Sequence, residues 1–145
     1  MPHRITCSKG EEMSARSTKV TLQNKTEGLL VLNSSSLSHG EWETAPPSLI
    51  TPASEASWQN DSDGFLTGDQ GMAGFALVSG SASKGQVAVN WDNPYSGSNS
   101  YSVACPPGYE IEYSGGDGNN AAITVSLTIS SKSKTAARVA WNGKQ

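Results

Sequence analysis

Few residues of this 145-residue chain are of a kind that makes or breaks bonds. A nucleophile needs a base to orient it, and the two histidines are His3, in a polar leader, and His39, beside Gly40 at an expected turn. His39 reads as a turn or surface residue, which leaves a hydrolase without its base. Zinc asks for clustered Cys and His ligands, whereas Cys7 and Cys105 stand far apart, match no ligand spacing and read as reduced thiols. Asn60-Asp61-Ser62-Asp63-Gly64 opens like a calcium loop. Placing Gly64 at the sixth position, however, puts Gln59 first and Gln70 twelfth, where the bidentate Glu belongs. Asp117, in a Gly-rich tip, is a turn residue before it is a ligand, and no phosphate-cradling glycine motif occurs. The sequence therefore predicts no enzyme, no cofactor and no metal site.

Aromatic chemistry is what remains. Trp42, Trp58, Trp91 and Tyr95 lie near Gly, Pro or Asp, at strand ends or loops. Each combines an apolar body with a polar tip, which suits a membrane interface or the face of a sugar. Core packing is the simpler role for Trp58 and Trp91, which fall inside expected strands, so Trp42 and Tyr95 are the better surface candidates. Asp92-Asn93-Pro94-Tyr95-Ser96-Gly97-Ser98-Asn99 predicts a rigid polar loop, rich in donors and acceptors, able to address a headgroup or a glycan.

The elements that must hold these residues are strands. Thr18-Val20-Leu22 alternates, residues 29–32 form a buried-type run, and Glu41-Trp42-Glu43 precedes the breaker Pro46-Pro47. Further strands are expected over residues 56–59, 75–78 and 87–91. Ile123, Val125, Leu127 and Ile129 alternate with Thr and Ser, giving one dry and one wet face. Tyr109-Glu110-Ile111-Glu112-Tyr113 alternates before a Gly115-Gly116-Asp117-Gly118-Asn119-Asn120 turn, so the two segments read as a hairpin. Many short strands with almost no helical period predict an all-β sandwich or barrel. Only residues 135–141 offer a brief helical turn.

Composition agrees, with 23 Ser and 15 Gly against 35% apolar residues, which disfavours a helix bundle. The length suits one domain. No apolar run reaches the roughly 20 residues of a membrane-spanning helix, and no signal peptide is recognisable in the polar start. The expectation is synthesis in the cytoplasm and release without a standard leader. Six Lys and Arg face thirteen Asp and Glu in the first 130 residues, while Lys132, Lys134, Arg138 and Lys144 make the end basic. No broad basic face is available, so nucleic acid is not an expected partner. The basic end reads as a solvated tail or as a contact for an anionic membrane or partner. Asn24, Asn33 and Asn60 begin Asn-x-Ser/Thr triplets that read as coincidence in a Ser/Thr-rich chain. The expected organisation is a flexible leader over 1–13, a folded unit over 14–131 and a basic tail over 132–145.

Ser14-Ala15-Arg16, Asn24-Lys25-Thr26, Gly40-Glu41-Trp42-Glu43-Thr44, Ser62-Asp63-Gly64-Phe65-Leu66-Thr67-Gly68, the 92–99 loop and Tyr109-Glu110-Ile111 with Gly115-Gly116 together resemble, in order and spacing, the aegerolysin family. The likeness covers residues 14–131 and is nearest to the small component of the binary insecticidal crystal toxins. It implies a single-domain antiparallel β-sandwich that recognises membrane lipids, often sphingolipid or in sterol-containing bilayers, without catalysis. It also implies a larger pore-forming partner protein, action at target-cell membranes, and leaves a homo-oligomer open. Family lipid sites use aromatics and an acidic side chain near the surface, which carries over to Trp42, Trp91, Asp92 and Tyr95, with Asp69 as the further acidic position. A carbohydrate-binding, lectin-like module is the alternative reading. The leader and the tail are not part of the family pattern.

Overall fold

Alternation of apolar and polar residues decides most of the strands. The computed structural model describes residues 16–131, so the expected leader and the whole of the expected tail, with the helical turn at 135–141, lie outside the described residues. In chain order the strands are β1 (Ser17–Lys25), β2 (Leu29–His39), β3 (Glu41–Thr44), β4 (Leu49–Ile50), β5 (Ser54–Asp61), β6 (Asp69–Ser79), β7 (Ala82–Asn93), β8 (Ser100–Ala104), β9 (Tyr109–Gly115) and β10 (Asn120–Ile129). They form two five-stranded sheets, ordered β3-β5-β1-β10-β9 and β4-β2-β6-β7-β8. The two sheets face each other as a single-domain all-β sandwich. β1 and β10 lie side by side in parallel, whereas the other pairs are antiparallel.

β10 shows the rule most simply: Ala121, Ile123, Val125 and Leu127 are buried while Ala122 and Thr124 between them are exposed. Val20 and Leu22 of β1 and Trp58 of β5 complete the inner face of the first sheet. Leu30, Ala73, Phe75, Leu77, Val87, Val89 and Trp91 meet them from the second. The same alternation carries polar residues inward at the strand ends, where Thr18 and Asn24 of β1 are also buried. Asn24 is satisfied there: its amide donates to the carbonyls of Gly28, Ile50 and Thr51, and its oxygen accepts from Thr26. Burial of Asn24 and Asn60 leaves neither of those triplets accessible for glycan attachment.

Several strands are longer than the sequence predicts. β2 runs on beyond the expected 29–32 run through Asn33 and Ser34-Ser35-Ser36, whose side chains are all exposed and polar and give no apolar strand signal. Pairing with β6 holds it in the sheet, across a register shift between Leu32 and Ser34. β6 begins at Asp69 rather than near Phe75, because Gly71 and Gly74 hide the strand signal. Gly71 is required by packing: a Cβ there would lie 2.6 Å from Leu37 Cδ2 and 2.8 Å from Trp91 Cζ2. The short strands β4 and β8 are not signalled by the sequence at all. The hairpin of β9 and β10 forms as expected.

Candidate functional site

One end of the sandwich collects the irregular loops, and hydrogen bonds weld them into one surface. Asn93, buried at the end of β7, donates from its amide to the carbonyls of Ser17 at 3.0 Å and Asn119 at 2.9 Å, tying the two sheets together. The β7–β8 loop is then pinned to the β9–β10 tip. Asn99 donates to the carbonyls of Gly116 at 2.8 Å and Gly118 at 2.9 Å, and the Tyr101 hydroxyl donates to Gly116 at 2.8 Å.

Arg16 fastens a third loop. Its backbone N–H donates to Ser62 Oγ at 3.0 Å, its carbonyl accepts from Ser62 N–H at 2.9 Å, and its guanidinium donates to the carbonyls of Tyr95 at 2.7 Å and Pro94 at 3.4 Å. The guanidinium carbon also lies 4.8 Å from the centre of the Tyr95 ring, a cation–π distance. The β5–β6 loop, residues 62–68, consequently packs against residues 93–95. A Cβ on Gly68 would sit 2.4 Å from the Asn93 carbonyl oxygen, so that position must be glycine for the loops to meet. A cleft of about 280 Å³ opens between Arg16, the β7–β8 loop and the β9–β10 tip, lined by Arg16, Pro94, Ser98, Asn99, Asp117 and Asn119 among others.

The five site residues taken from the sequence divide among different environments. Tyr95 is 41% exposed and stands on the loop surface beside Arg16. Trp42 is half-buried on the edge strand β3, its ring edge-on to Trp91 at 6.0 Å. Trp91, in contrast, is only 1% exposed. Its ring packs against Trp58 at 6.4 Å, and its indole N–H donates to Asn60 Oδ1 at 2.9 Å. Of the two roles weighed for Trp91, its position is that of core packing: the ring is the platform under Trp42. Asp92 follows Trp91 on the same strand and so faces the opposite way. It lies half-buried at a second cleft, of about 280 Å³, on the outer face of β6, β7 and β8, together with Gln70, Met72, Asn90 and Ser100.

Asp69, the further acidic position, does not lie at the surface either. It is fully buried at the start of β6, and neither carboxylate oxygen has a hydrogen-bond partner. Burial above all pushes its carboxyl up to about 7; the neighbouring Asp61 and Asp92 charges push the same way, against the nearby Thr18 hydroxyl and Arg16. Such a group cannot reach a headgroup. It lies beneath the loop surface and carries a proton over much of the ordinary pH range.

Two residues not singled out for the site stand out in the structure. Phe65 is 88% exposed and Leu66 50% exposed, both in the β5–β6 loop. Leu66 has φ 59°, a left-handed conformation that costs a non-glycine residue about 1–2 kcal/mol. The signal was present in Gly64-Phe65-Leu66-Thr67-Gly68: two large apolar residues between glycines, where no strand can bury them. Among the described residues no group of His, Cys, Asp and Glu could hold a metal ion, and no helix is long and apolar enough to cross a membrane.

Comparison with solved structures places the fold. The crystal structure of the lipid binding protein Nakanori superposes with a TM-score of 0.67 at 12% identity, covering 83% of this chain and 74% of that one. The two-sheet sandwich thus resembles aegerolysin structures in fold. RahU, solved in complex with a TRIS molecule, gives a TM-score of 0.63 at 19% identity over 81% of this chain and 98% of its own. IP-1A from Alcaligenes faecalis gives 0.55 at 19% identity over 79% and 92%. An uncharacterized protein of Dictyostelium discoideum is 32% identical over 111 residues, 76% of this chain. The chain spans about a tenth of the length of that relative. No protein-family model matches.

Proposed function

We propose that this chain is a non-enzymatic membrane-lipid binding protein that docks through the loop end of its sandwich. The observation that carries this reading is the welded loop surface presenting Tyr95 against Arg16, on a fold shared with a protein described as lipid binding. A tyrosine ring with a cation on its face suits the headgroup layer, where an apolar body and a polar tip are both accommodated. Trp42 and Asp92 are the further proposed contacts, and Trp91 and Asp69 support the surface from below. Asp63 and Asp117 are exposed in the flanking loops, and this acidity disfavours anionic bilayers while leaving zwitterionic headgroups acceptable.

The finer proposal is that the lipid is a sphingolipid in a sterol-containing bilayer, and that the chain serves as the small component of a bicomponent pore-forming toxin whose larger partner perforates the membrane. It rests on the motif resemblance alone. Titration with vesicles of sphingomyelin or phosphatidylcholine, which share one headgroup, separates sphingolipid recognition from headgroup recognition. Equal affinity for the two vesicle types would refute the sphingolipid proposal. The polar cleft beside Arg16 favours a second reading, a carbohydrate-binding module, and a glycan array without a hit would remove it.

A further inference from the structure

We propose that the β5–β6 loop is a membrane-penetrating wedge, with Phe65 and Leu66 entering the acyl boundary of a zwitterionic bilayer while Tyr95 and Arg16 stay at headgroup level. This rests on the lipid-binding reading above and assigns the apolar element that such docking needs. Phe65 is the most exposed of the large apolar residues in the described chain, and Leu66 and Tyr95 are the exposed apolar side chains of the same loop end.

The loop presents these side chains rigidly. Thr67 Oγ1 donates to the Gly64 carbonyl at 2.9 Å across the turn, Ser62 exchanges two hydrogen bonds with Arg16, and Gly68 is seated on the backbone of residues 93–95. Leu66 is held at φ 59° between these anchors, and strained backbone of this kind recurs where a loop is shaped for contact. A turn that had no use for an outward Leu could carry glycine there without that strain.

Size and surroundings select the occupant. Phe65, Leu66 and Tyr95 together offer about 300–400 Å² of exposed side chain, less than half of the roughly 800 Å² per partner in a standard protein interface. A small apolar tip with amphipathic aromatics at its shoulder is instead sufficient for shallow insertion at a bilayer interface. Exposed Asp63, two residues before Phe65, and Asp117 on the neighbouring tip would be repelled by anionic lipid, which leaves a zwitterionic surface.

The test uses vesicles of sphingomyelin, phosphatidylcholine and cholesterol and compares the wild-type chain with Phe65→Ser and Phe65→Trp. The wedge predicts that Phe65→Ser, with an unchanged melting temperature, binds at least about tenfold more weakly. It also predicts that Phe65→Trp keeps its affinity and gains an emission component quenched by phosphatidylcholine brominated on its acyl chains. Wild-type affinity in Phe65→Ser, or no added quenching in Phe65→Trp, overturns the wedge and leaves the lipid reading standing. Failure of the wild-type chain to bind any zwitterionic vesicle overturns both.

Discussion

Replacing Asp69 with Asn should change the pH dependence of folding in a defined direction. The Asp69 carboxyl is pushed from 3.8 up to about 7, chiefly by burial. Between those values the folded protein holds a proton that the unfolded chain has released, so stability is complete below about pH 4 and is lost as pH rises through 7. At ~1.4 kcal/mol per pKa unit, the loss approaches about 4 kcal/mol, equivalent to a melting shift on the order of 10 °C for a domain of this size. Asp69→Asn removes the titration while keeping the shape. Urea unfolding of both proteins from pH 4 to 9 isolates the effect, because the other carboxylates are common to the pair. The variant should gain on the wild type by about 1.4 kcal/mol per pH unit up to pH 7, then run parallel to it. A difference that stays flat from pH 5 to 8, or slopes the other way, would refute the argument that Asp69 is protonated because it is buried without partners.

Three further substitutions probe the platform and the surface. Asn60→Ala strips the acceptor from the Trp91 indole N–H and the amide that donates to the His39 and Glu41 carbonyls; it should cost about 2–4 kcal/mol in urea unfolding, and a loss under about 0.5 kcal/mol contradicts the role given to Trp91. Gly71→Ala drives a Cβ against Leu37 and Trp91 and should cost about 1–3 kcal/mol, read as a lower melting temperature. Tyr95→Ala should leave stability within about 0.5 kcal/mol yet weaken vesicle binding about tenfold by equilibrium titration; unaltered binding removes Tyr95 from the site.

How much was legible in the sequence follows from where the physics is local. Alternation over β10 and β1 is a property of adjacent residues, and both strands form as the pattern predicts. β2 beyond Leu32 and the first half of β6 escape such a reading, because serines and glycines there are held by partners distant in the chain. The site follows the same division. The exposed position of Tyr95 can be anticipated from a Pro- and Gly-containing loop, whereas the clasp made by Arg16 spans 78 and 79 residues and leaves no local trace. Trp91 and Asp92 are neighbours in sequence and for that reason face opposite sides of a strand. Asp69 looks like a surface acid beside Gly68 and Gly71, and only the packed sandwich shows it buried.

The most direct test of membrane recognition is flotation of the purified chain with vesicles at physiological salt, with zwitterionic sphingomyelin and phosphatidylcholine, cholesterol and anionic phosphatidylserine varied one at a time. The account predicts that the chain floats with sphingomyelin-containing vesicles and gains nothing when phosphatidylserine is added. A chain that stays at the bottom of the gradient with every mixture, or that floats only with phosphatidylserine, would contradict it.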